Sequence, residues 1–168
     1  MSKNKSIDVL FSPNGGTQKR IATAIDSAKA TVDLAIYSFT AQPIFNSLVN
    51  AVKRGVKIRA VFDKSETHGV QASFHDQLEK LGVPIKVLAP AGGIMHNKFL
   101  IVDNSLLELG SYNFTNRAEL NNRENAVFTS NPDLITKYKA NFNVMFMTAD
   151  IEPVRFRWFR RFIRRVFK

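Results

Sequence analysis

Two side chains that could act on a phosphate group stand two positions apart in the second half of the chain. His96 and Lys98 belong to the run Met-His-Asn-Lys-Phe, and Gly-Ser-Tyr-Asn follows at 110–113. In an extended strand, residues i and i+2 project from one face, so the imidazole and the ammonium would share a side. The same spacing relates Ser111 to Asn113. An imidazole can attack phosphorus or carry a proton, and the other three groups can hold phosphoryl oxygens. The pattern therefore predicts chemistry at a phosphodiester.

The complete spacing is more specific than either pair. An isolated His-x-Lys pair is commonly a partly buried histidine beside a surface lysine. Here four residues separate Lys98 from Asp103, and six more separate Asp103 from the Gly-Ser pair. A chain of this length rarely meets such a joint requirement by chance. His68 and His75 lack these companions, and we expect both to be ordinary surface or loop histidines.

With this spacing the chain resembles the phospholipase D superfamily, most closely its small bacterial endonucleases that carry one copy of the motif. The resemblance covers nearly all of residues 1–150. It implies a homodimer, because such relatives join two copies of the motif at the dimer interface. It also implies that His96 acts twice. In one subunit it attacks phosphorus to form a phosphohistidine, and in the other it protonates the leaving oxygen, after which water resolves the intermediate.

This chemistry gives a reason for two histidines. A nucleophile must start unprotonated and an acid must start protonated, so one imidazole cannot serve as both at once. Two identical residues can differ when they lie close together, because a proton on one disfavours a proton on the other. Around them, Lys98 would hold phosphoryl oxygens as a point charge, and Ser111 and Asn113 would donate hydrogen bonds to the same group.

Two carboxylates near the motif receive different interpretations. Asp103 lies seven residues after His96, and an odd offset points a strand residue to the opposite face. We therefore expect Asp103 to fix the hairpin turn, although it belongs to the family motif. Glu124 matches a carboxylate that similar nucleases use to orient the imidazole, where it would select the tautomer and stabilise the imidazolium. The alternative for Glu124 is a surface charge before a strand.

Metal-dependent cleavage is the competing mechanism. It requires clustered carboxylates, and the chain contains no Asp/Glu-x-Lys triplet of the restriction-nuclease type. Asp8, Asp33 and Asp63 lie near the ends of predicted strands and could cluster, so this alternative stays open. Our expectation is a site with no metal and no cofactor.

The bulk composition is that of one globular domain. The chain has 168 residues, 45% of them hydrophobic, with 14 Phe and no Cys, so structural disulfides and thiolate zinc sites are excluded. We find no uncharged apolar stretch of about 18 residues and no signal-peptide core. As written, the chain is expected in the cytoplasm, with peripheral membrane contact left open, or in the periplasm if a signal sequence has been removed.

The order of predicted elements is that of an α/β fold. The apolar run from Phe99 to Val102 indicates a strand covered on both faces. The turn residues after it predict a hairpin with the next strand, 106–110. The prediction is a mixed β-sheet sandwiched between helical layers, in a domain of residues 1–152. Strands are predicted at 7–11, 32–39, 56–62, 84–88, 99–102, 106–110 and 125–129, and helices at 17–29, 42–54, 70–81 and 134–147, the last one capped by Asn131 with Pro132 at its first position.

The C-terminal segment, 153–168, is expected to form a basic amphipathic helix. Residues 155–168 hold six Arg, one Lys and no acid, so they contribute most of the formal net charge of +10. Such a helix is typical of a segment that lies on an anionic membrane. It could also present its arginines to nucleic acid, or simply pack with its charged face in solvent. The basic face comprises Arg157, Arg160, Arg161, Arg164, Arg165 and Lys168, and the apolar face comprises positions 156, 159, 162, 163, 166 and 167.

Together these features predict a metal-independent phosphodiesterase that cleaves nucleic acid as a homodimer with low sequence specificity. DNA and RNA are both open as substrates. The alternative is a phospholipase working at a membrane surface, for which the basic tail is the main argument. A third hypothesis is a binding module for nucleic acid or membrane that has lost turnover, although a binder would have no need of His96.

Overall fold

The computed structural model describes residues 7–148. Within this range, strands and helices alternate except at 85–110, where three strands follow one another, and the predicted α/β class is confirmed. The elements are β1 (Ile7–Phe11), α1 (Thr17–Asp26), β2 (Thr31–Ile36), α2 (Gln42–Lys53), β3 (Lys57–Asp63), a 3₁₀ turn (Lys64–Glu66), α3 (Gly69–Lys80), β4 (Ile85–Leu88), β5 (Lys98–Val102), β6 (Leu106–Gly110), α4 (Asn116–Leu120), β7 (Asn125–Thr129) and α5 (Pro132–Thr148).

The strands form one mixed sheet of seven, in the order β1-β7-β6-β5-β2-β3-β4. β2, β3 and β4 run parallel to one another, and the other neighbours are antiparallel. β5 lies at the centre, antiparallel to β2. Its first residue therefore lies beside the carboxyl end of β2, the end of a parallel sheet where ligand sites concentrate.

Helices cover both faces of the sheet, which confirms the predicted layers. On α2, Ile44, Phe45, Leu48 and Ala51 are buried, a helical spacing that turns one apolar stripe toward the sheet. α5 lies on the opposite face and buries Ile135 and Phe142, which belong to the same cluster as Phe99 and Ile101 of β5. Every residue of β5 is buried, as expected for a strand packed on both sides.

One strand end and one short helix differ from the prediction because distant contacts decide them. The strand predicted over 32–39 ends at Ile36, and residues 37–39 leave the sheet to pair with the segment around Phe114. The short helix α4 was not predicted. Glu119, on α4, accepts hydrogen bonds from the backbone N–H groups of Gly16 and Gln18, at 2.9 and 3.0 Å, and so caps α1 from about a hundred residues away.

The prediction for His75 is wrong, whereas His68 is exposed just before α3 as expected. His75 lies within α3 and is only 5% exposed. It occupies the core side of the helix, because the buried residues Gln71 and Leu78 stand four positions before and three positions after it. Its ring meets the Phe62 ring edge-on, with centroids 5.6 Å apart.

Within residues 7–148, no helix is long and apolar enough to cross a membrane. The predicted domain boundary near residue 152 and the basic tail lie outside the described residues, so both stay predictions.

Candidate active site

We refer to His96, Lys98, Asp103 and residues 110–113 as the signature. Its first half, His96 and Lys98, lies where the chain enters β5. His96 precedes the strand and is exposed, and Lys98 is its first residue and is 7% exposed. The Lys98 ammonium donates a hydrogen bond to the His96 carbonyl oxygen at 2.8 Å. Both side chains approach Tyr37, with 4.6 Å between the ring centroids of Tyr37 and His96 and 5.1 Å from Lys98 Nζ to the Tyr37 centroid. The two signature residues therefore share one side, as the spacing predicts.

The Lys98 ammonium is held in surroundings that stabilise its charge poorly. Burial lowers the pKa of Lys98 from 10.5 to about 8, and the negative charge of Glu124 opposes part of that decrease. Among residues 7–148 the ammonium has one hydrogen-bond acceptor, the His96 carbonyl, whereas it can donate three hydrogen bonds. A phosphate oxygen could accept a further hydrogen bond from this ammonium.

The second half of the signature follows β6. Gly110 has to be a glycine, because a Cβ there would lie 2.2 Å from the carbonyl oxygen of Asn125 on β7. Just beyond it, the Asn113 Oδ1 accepts a hydrogen bond from the Ser38 N–H at 3.2 Å. Among residues 7–148, the Asn113 amide nitrogen has no hydrogen-bond partner. The amide is thus fixed by its oxygen and presents its two N–H donors, as expected of a phosphate-binding group.

Ser111 and Glu124 form a hydrogen-bonded pair. The Ser111 hydroxyl donates to the Glu124 carboxylate at 2.6 Å and accepts from the backbone N–H of Asn125 at 3.1 Å. Asn122 donates to the other carboxylate oxygen of Glu124 at 3.0 Å. In the single chain, over residues 7–148, neither ring nitrogen of His96 is hydrogen-bonded to Glu124. The structure therefore brings Glu124 to Ser111 and near the charge of Lys98, and its expected role toward the imidazole stays a proposal.

Asp103 lies beyond the other end of β5, in the hairpin turn, where its φ is 50°. Its carboxylate accepts hydrogen bonds from the backbone N–H groups of Lys29, Ala30 and Thr31, at 2.8 to 2.9 Å. Burial alone would raise the pKa of Asp103, but these N–H groups and the Lys29 charge lower it below its usual value. The side chain therefore anchors the connection between α1 and β2, and only the backbone of Asp103 forms the turn.

The three aspartates considered as metal ligands are held separately. Within residues 7–148, no group of three or more His, Cys, Asp or Glu side chains is arranged to hold a metal ion. Each carboxylate has its own partners: Arg20 for Asp8, Arg59 and Lys139 for Asp33, and the backbone N–H groups of Ser65 and Met95 for Asp63.

Sequence reasoning missed Tyr37 and Gln71, which lie beside the signature, and considered Asp63 only as a possible metal ligand. Tyr37 contacts both His96 and Lys98, and the buried Gln71 bonds to the backbone on both sides of residue 38. Asp63 holds the N–H of Met95, the residue before His96. Tyr37 follows the end of β2, as Asp63 ends the neighbouring parallel strand β3, and this position is the signal that could have found Tyr37. Gln71 carries no such signal in its local sequence.

Comparisons with known proteins identify the family of the chain. The family described as "Cardiolipin synthase, PLD-like domain" matches residues 21–146. A protein named phospholipase D from Rickettsia conorii is 33% identical over 143 residues, which are 84% of this chain and 70% of that protein.

Two solved structures resemble the chain over nearly all of their own length. Nuc from Salmonella typhimurium, described as a phospholipase D family member, superposes with a TM-score of 0.82 at 35% identity, covering 88% of this chain and 97% of that one. NucT from Helicobacter pylori superposes with a TM-score of 0.75 at 27% identity, covering 86% and 98%. The chain therefore belongs to the phospholipase D superfamily and is a phosphodiesterase.

Proposed function

We propose that the protein cleaves nucleic acid without a metal ion, through a covalent intermediate on His96, in a site shared by two copies of the chain. The observation that carries this proposal is the arrangement at the start of β5. There an exposed imidazole stands beside a buried ammonium, and the Asn113 amide donors face no partner within residues 7–148. These are the groups that displacement at phosphorus requires, and none of them needs a metal ion.

The reaction would proceed in two displacements. In the first, a nitrogen of His96 forms a bond to phosphorus while the bond from phosphorus to the leaving oxygen breaks. The imidazolium of His96 in the second copy gives that oxygen its proton. In the next displacement, the second His96, now neutral, takes a proton from water as the water attacks phosphorus. The bond to the first His96 then breaks, and the free enzyme is restored.

The surrounding groups would stabilise the charge that develops on phosphorus. Lys98 would move from the His96 carbonyl toward a phosphoryl oxygen, exchanging a neutral acceptor for a negatively charged one. The Asn113 amide would donate to the same group. Ser111 would join after turning its hydroxyl away from Glu124, and Glu124 would then be free to accept from an imidazole N–H.

The dimer follows from the number of histidines that this chemistry needs. The chain holds one copy of the signature, and each displacement requires a base or nucleophile together with an acid. Light scattering should therefore report a dimer. Mixing wild-type subunits with an excess of His96→Ala subunits, under conditions of subunit exchange, should lower the activity per wild-type subunit. A fully active monomer would contradict the shared site.

Nucleic acid is the proposed substrate because the chain resembles small endonucleases with a single motif and is strongly basic. The arginines between 155 and 168 would strengthen binding to a polyanion in a salt-dependent way. Deleting 155–168 should then weaken DNA binding and flatten its salt dependence. If the deletion weakens binding to anionic vesicles but not to DNA, the tail binds membranes. If binding to DNA and binding to vesicles are both unchanged, the tail has only a packing role.

A lipid substrate is the second candidate, because the matching family and the Rickettsia relative carry lipid-related names. The deciding experiment compares three substrates: plasmid DNA, single-stranded RNA, and vesicles of phosphatidylcholine and cardiolipin. Purified protein is incubated with each of them separately, and EDTA is present in every reaction. We expect nucleic acid to be cleaved, His96→Ala to be inactive, and His68→Ala, which removes an exposed histidine outside the site, to match wild type. Activity lost to EDTA would contradict the histidine mechanism, and hydrolysis of lipid alone would select the second candidate.

A further inference from the structure

The three residues that follow β2, 37–39, connect the two halves of the signature. The Tyr37 N–H donates to the Asn97 carbonyl at 3.1 Å, between His96 and Lys98. The Ser38 N–H donates to the Asn113 side chain at 3.2 Å, and the Ser38 carbonyl accepts from the Phe114 N–H at 3.1 Å. A displacement of this segment would therefore move both halves of the proposed site.

The Tyr37 ring itself meets the two reactive groups. Its centroid lies 4.6 Å from that of His96, with the ring planes inclined at 60°, an edge contact that limits rotation of the imidazole. The Lys98 ammonium lies 5.1 Å from the same centroid, within the range where an aromatic face attracts a cation. One side chain thus contacts the proposed nucleophile and the proposed phosphate-binding cation.

We infer that Tyr37 is a positioning residue of the active site, whose ring orients the His96 imidazole and holds the Lys98 ammonium in its charged form. This inference deepens the proposed function and rests on it for its kinetic consequences. Its effect on the two side chains can be measured in the absence of any substrate. The ring, and not the hydroxyl, carries the role, because both contacts are made with the ring.

Helix α3 fixes the segment that carries this ring. Gln71 is 2% exposed, and its side-chain oxygen accepts from the Phe39 N–H at 2.6 Å while its amide donates to the Tyr37 carbonyl at 3.2 Å. These two bonds replace the strand pairing that β2 loses after Ile36. A buried amide with both ends hydrogen-bonded fixes the backbone from which the Tyr37 ring projects.

The expected consequence concerns the protonation of Lys98. Burial lowers the pKa of this lysine to about 8, and the aromatic face favours the charged form. Tyr37→Leu keeps the site apolar but removes the ring, so the pKa of Lys98 should fall further. Activity that needs the ammonium should then decline at a pH about half a unit to one unit lower than in wild type.

The kinetic test compares Tyr37→Leu with Tyr37→Phe, which keeps the ring. We expect Tyr37→Phe to retain kcat within about twofold, and Tyr37→Leu to lose about tenfold in kcat with a smaller change in KM. Tyr138→Leu is the matched control, since Tyr138 packs its ring on Phe99 in the core at 5.0 Å between centroids. It should lower stability and leave the pH profile unchanged. A Tyr37→Phe enzyme as slow as Tyr37→Leu would overturn the inference, because the hydroxyl would then be required.

A second test uses NMR and needs no substrate. Ring protons of His96 should shift in Tyr37→Leu, since they lose the ring current of Tyr37, and the Lys98 side-chain signal should titrate at lower pH than in wild type. Lys98→Met assigns that signal. If both signals match wild type in Tyr37→Leu, the inference is wrong even when the protein is an active nuclease. If the expected shifts appear in a protein that cleaves nothing, the positioning role stands and the proposed function fails.

Discussion

The two charged residues of the signature that flank β5 have opposite surroundings. At its start, Lys98 is buried with one backbone carbonyl as its hydrogen-bond acceptor, and burial lowers its pKa to about 8. Beyond its end, Asp103 accepts three backbone N–H bonds, and its pKa lies below the usual value. One charge is poorly stabilised, and we propose that it exchanges its partner for phosphate. The other is well stabilised and anchors the loop after α1. One sequence signature can thus contain both a residue proposed to bind the substrate and a residue that anchors the fold.

Among changes to the charged residues around β5, the largest effect is expected from Lys98→Met. Removing the cation should lower kcat for phosphodiester cleavage by about 10²- to 10³-fold, the usual loss when one charge-stabilising donor is removed. Stability should stay equal or rise, because a buried charge with one acceptor is removed while the apolar volume is kept. Lys57→Met, at the exposed start of β3, is the control. A thermal unfolding temperature that falls together with activity would instead make Lys98 structural.

The reverse outcome is expected from Asp103→Ala. Losing three hydrogen bonds to backbone N–H groups should lower the free energy of unfolding by about 1–2 kcal/mol. Activity per folded molecule should stay within about twofold of wild type, because the carboxylate contacts the loop after α1. Urea unfolding and kcat measured on one preparation check both parts. Asp76→Ala, an exposed carboxylate on α3, should change neither. A large loss of kcat at unchanged stability would contradict the anchoring role of Asp103.

The pH dependence of this stabilisation has a defined sign. The pKa of Asp103 is lower in the folded than in the unfolded chain, so its contribution is fully present above the unfolded value and is lost as pH falls through the folded value. Wild type and Asp103→Ala should therefore differ in unfolding free energy at neutral pH and converge in acid. Equal differences at both pH values would show that the carboxylate charge is not involved.

The smallest effect is expected from Glu124→Gln, which removes a negative charge near Lys98 at the start of β5. Burial lowers the pKa of Lys98 and the Glu124 charge raises it, so neutralising Glu124 should lower the Lys98 pKa below about 8. The alkaline decline of kcat/KM, which reports groups of the free enzyme, should then move to lower pH. Glu66→Gln, in the 3₁₀ turn after β3, is the control. A decline that stays in place or moves to higher pH would contradict this coupling.

Much of the fold could be predicted because local patterns specify it. The apolar run of β5, the turn after it and the cap of α5 each depend on residues that are adjacent in sequence, and the structure contains all three. The strand parity that separated Asp103 from His96 is equally local. Strand parity predicted that Asp103 lies away from the His96 imidazole. It could not predict that the Asp103 carboxylate bonds to residues 29–31, because these are distant in sequence.

What the sequence could not predict depends on contacts between distant elements. Glu119 caps α1, and Gln71 replaces the pairing of a strand that ends early. Each is a common polar residue on a helix until the fold brings its partner close. The burial of Lys98 is a similar case, because a lysine is normally exposed and only the layers around β5 remove it from water.

The most direct test of the central claim is to trap the intermediate. Wild-type protein is mixed with a short DNA oligonucleotide in EDTA and quenched in alkaline denaturant, which preserves the bond between phosphorus and histidine. Mass spectrometry of the peptides then locates the adduct. We predict a nucleotide attached to His96, absent from His96→Ala. Cleavage in EDTA with no adduct on His96, or with the adduct on another residue, would contradict the account.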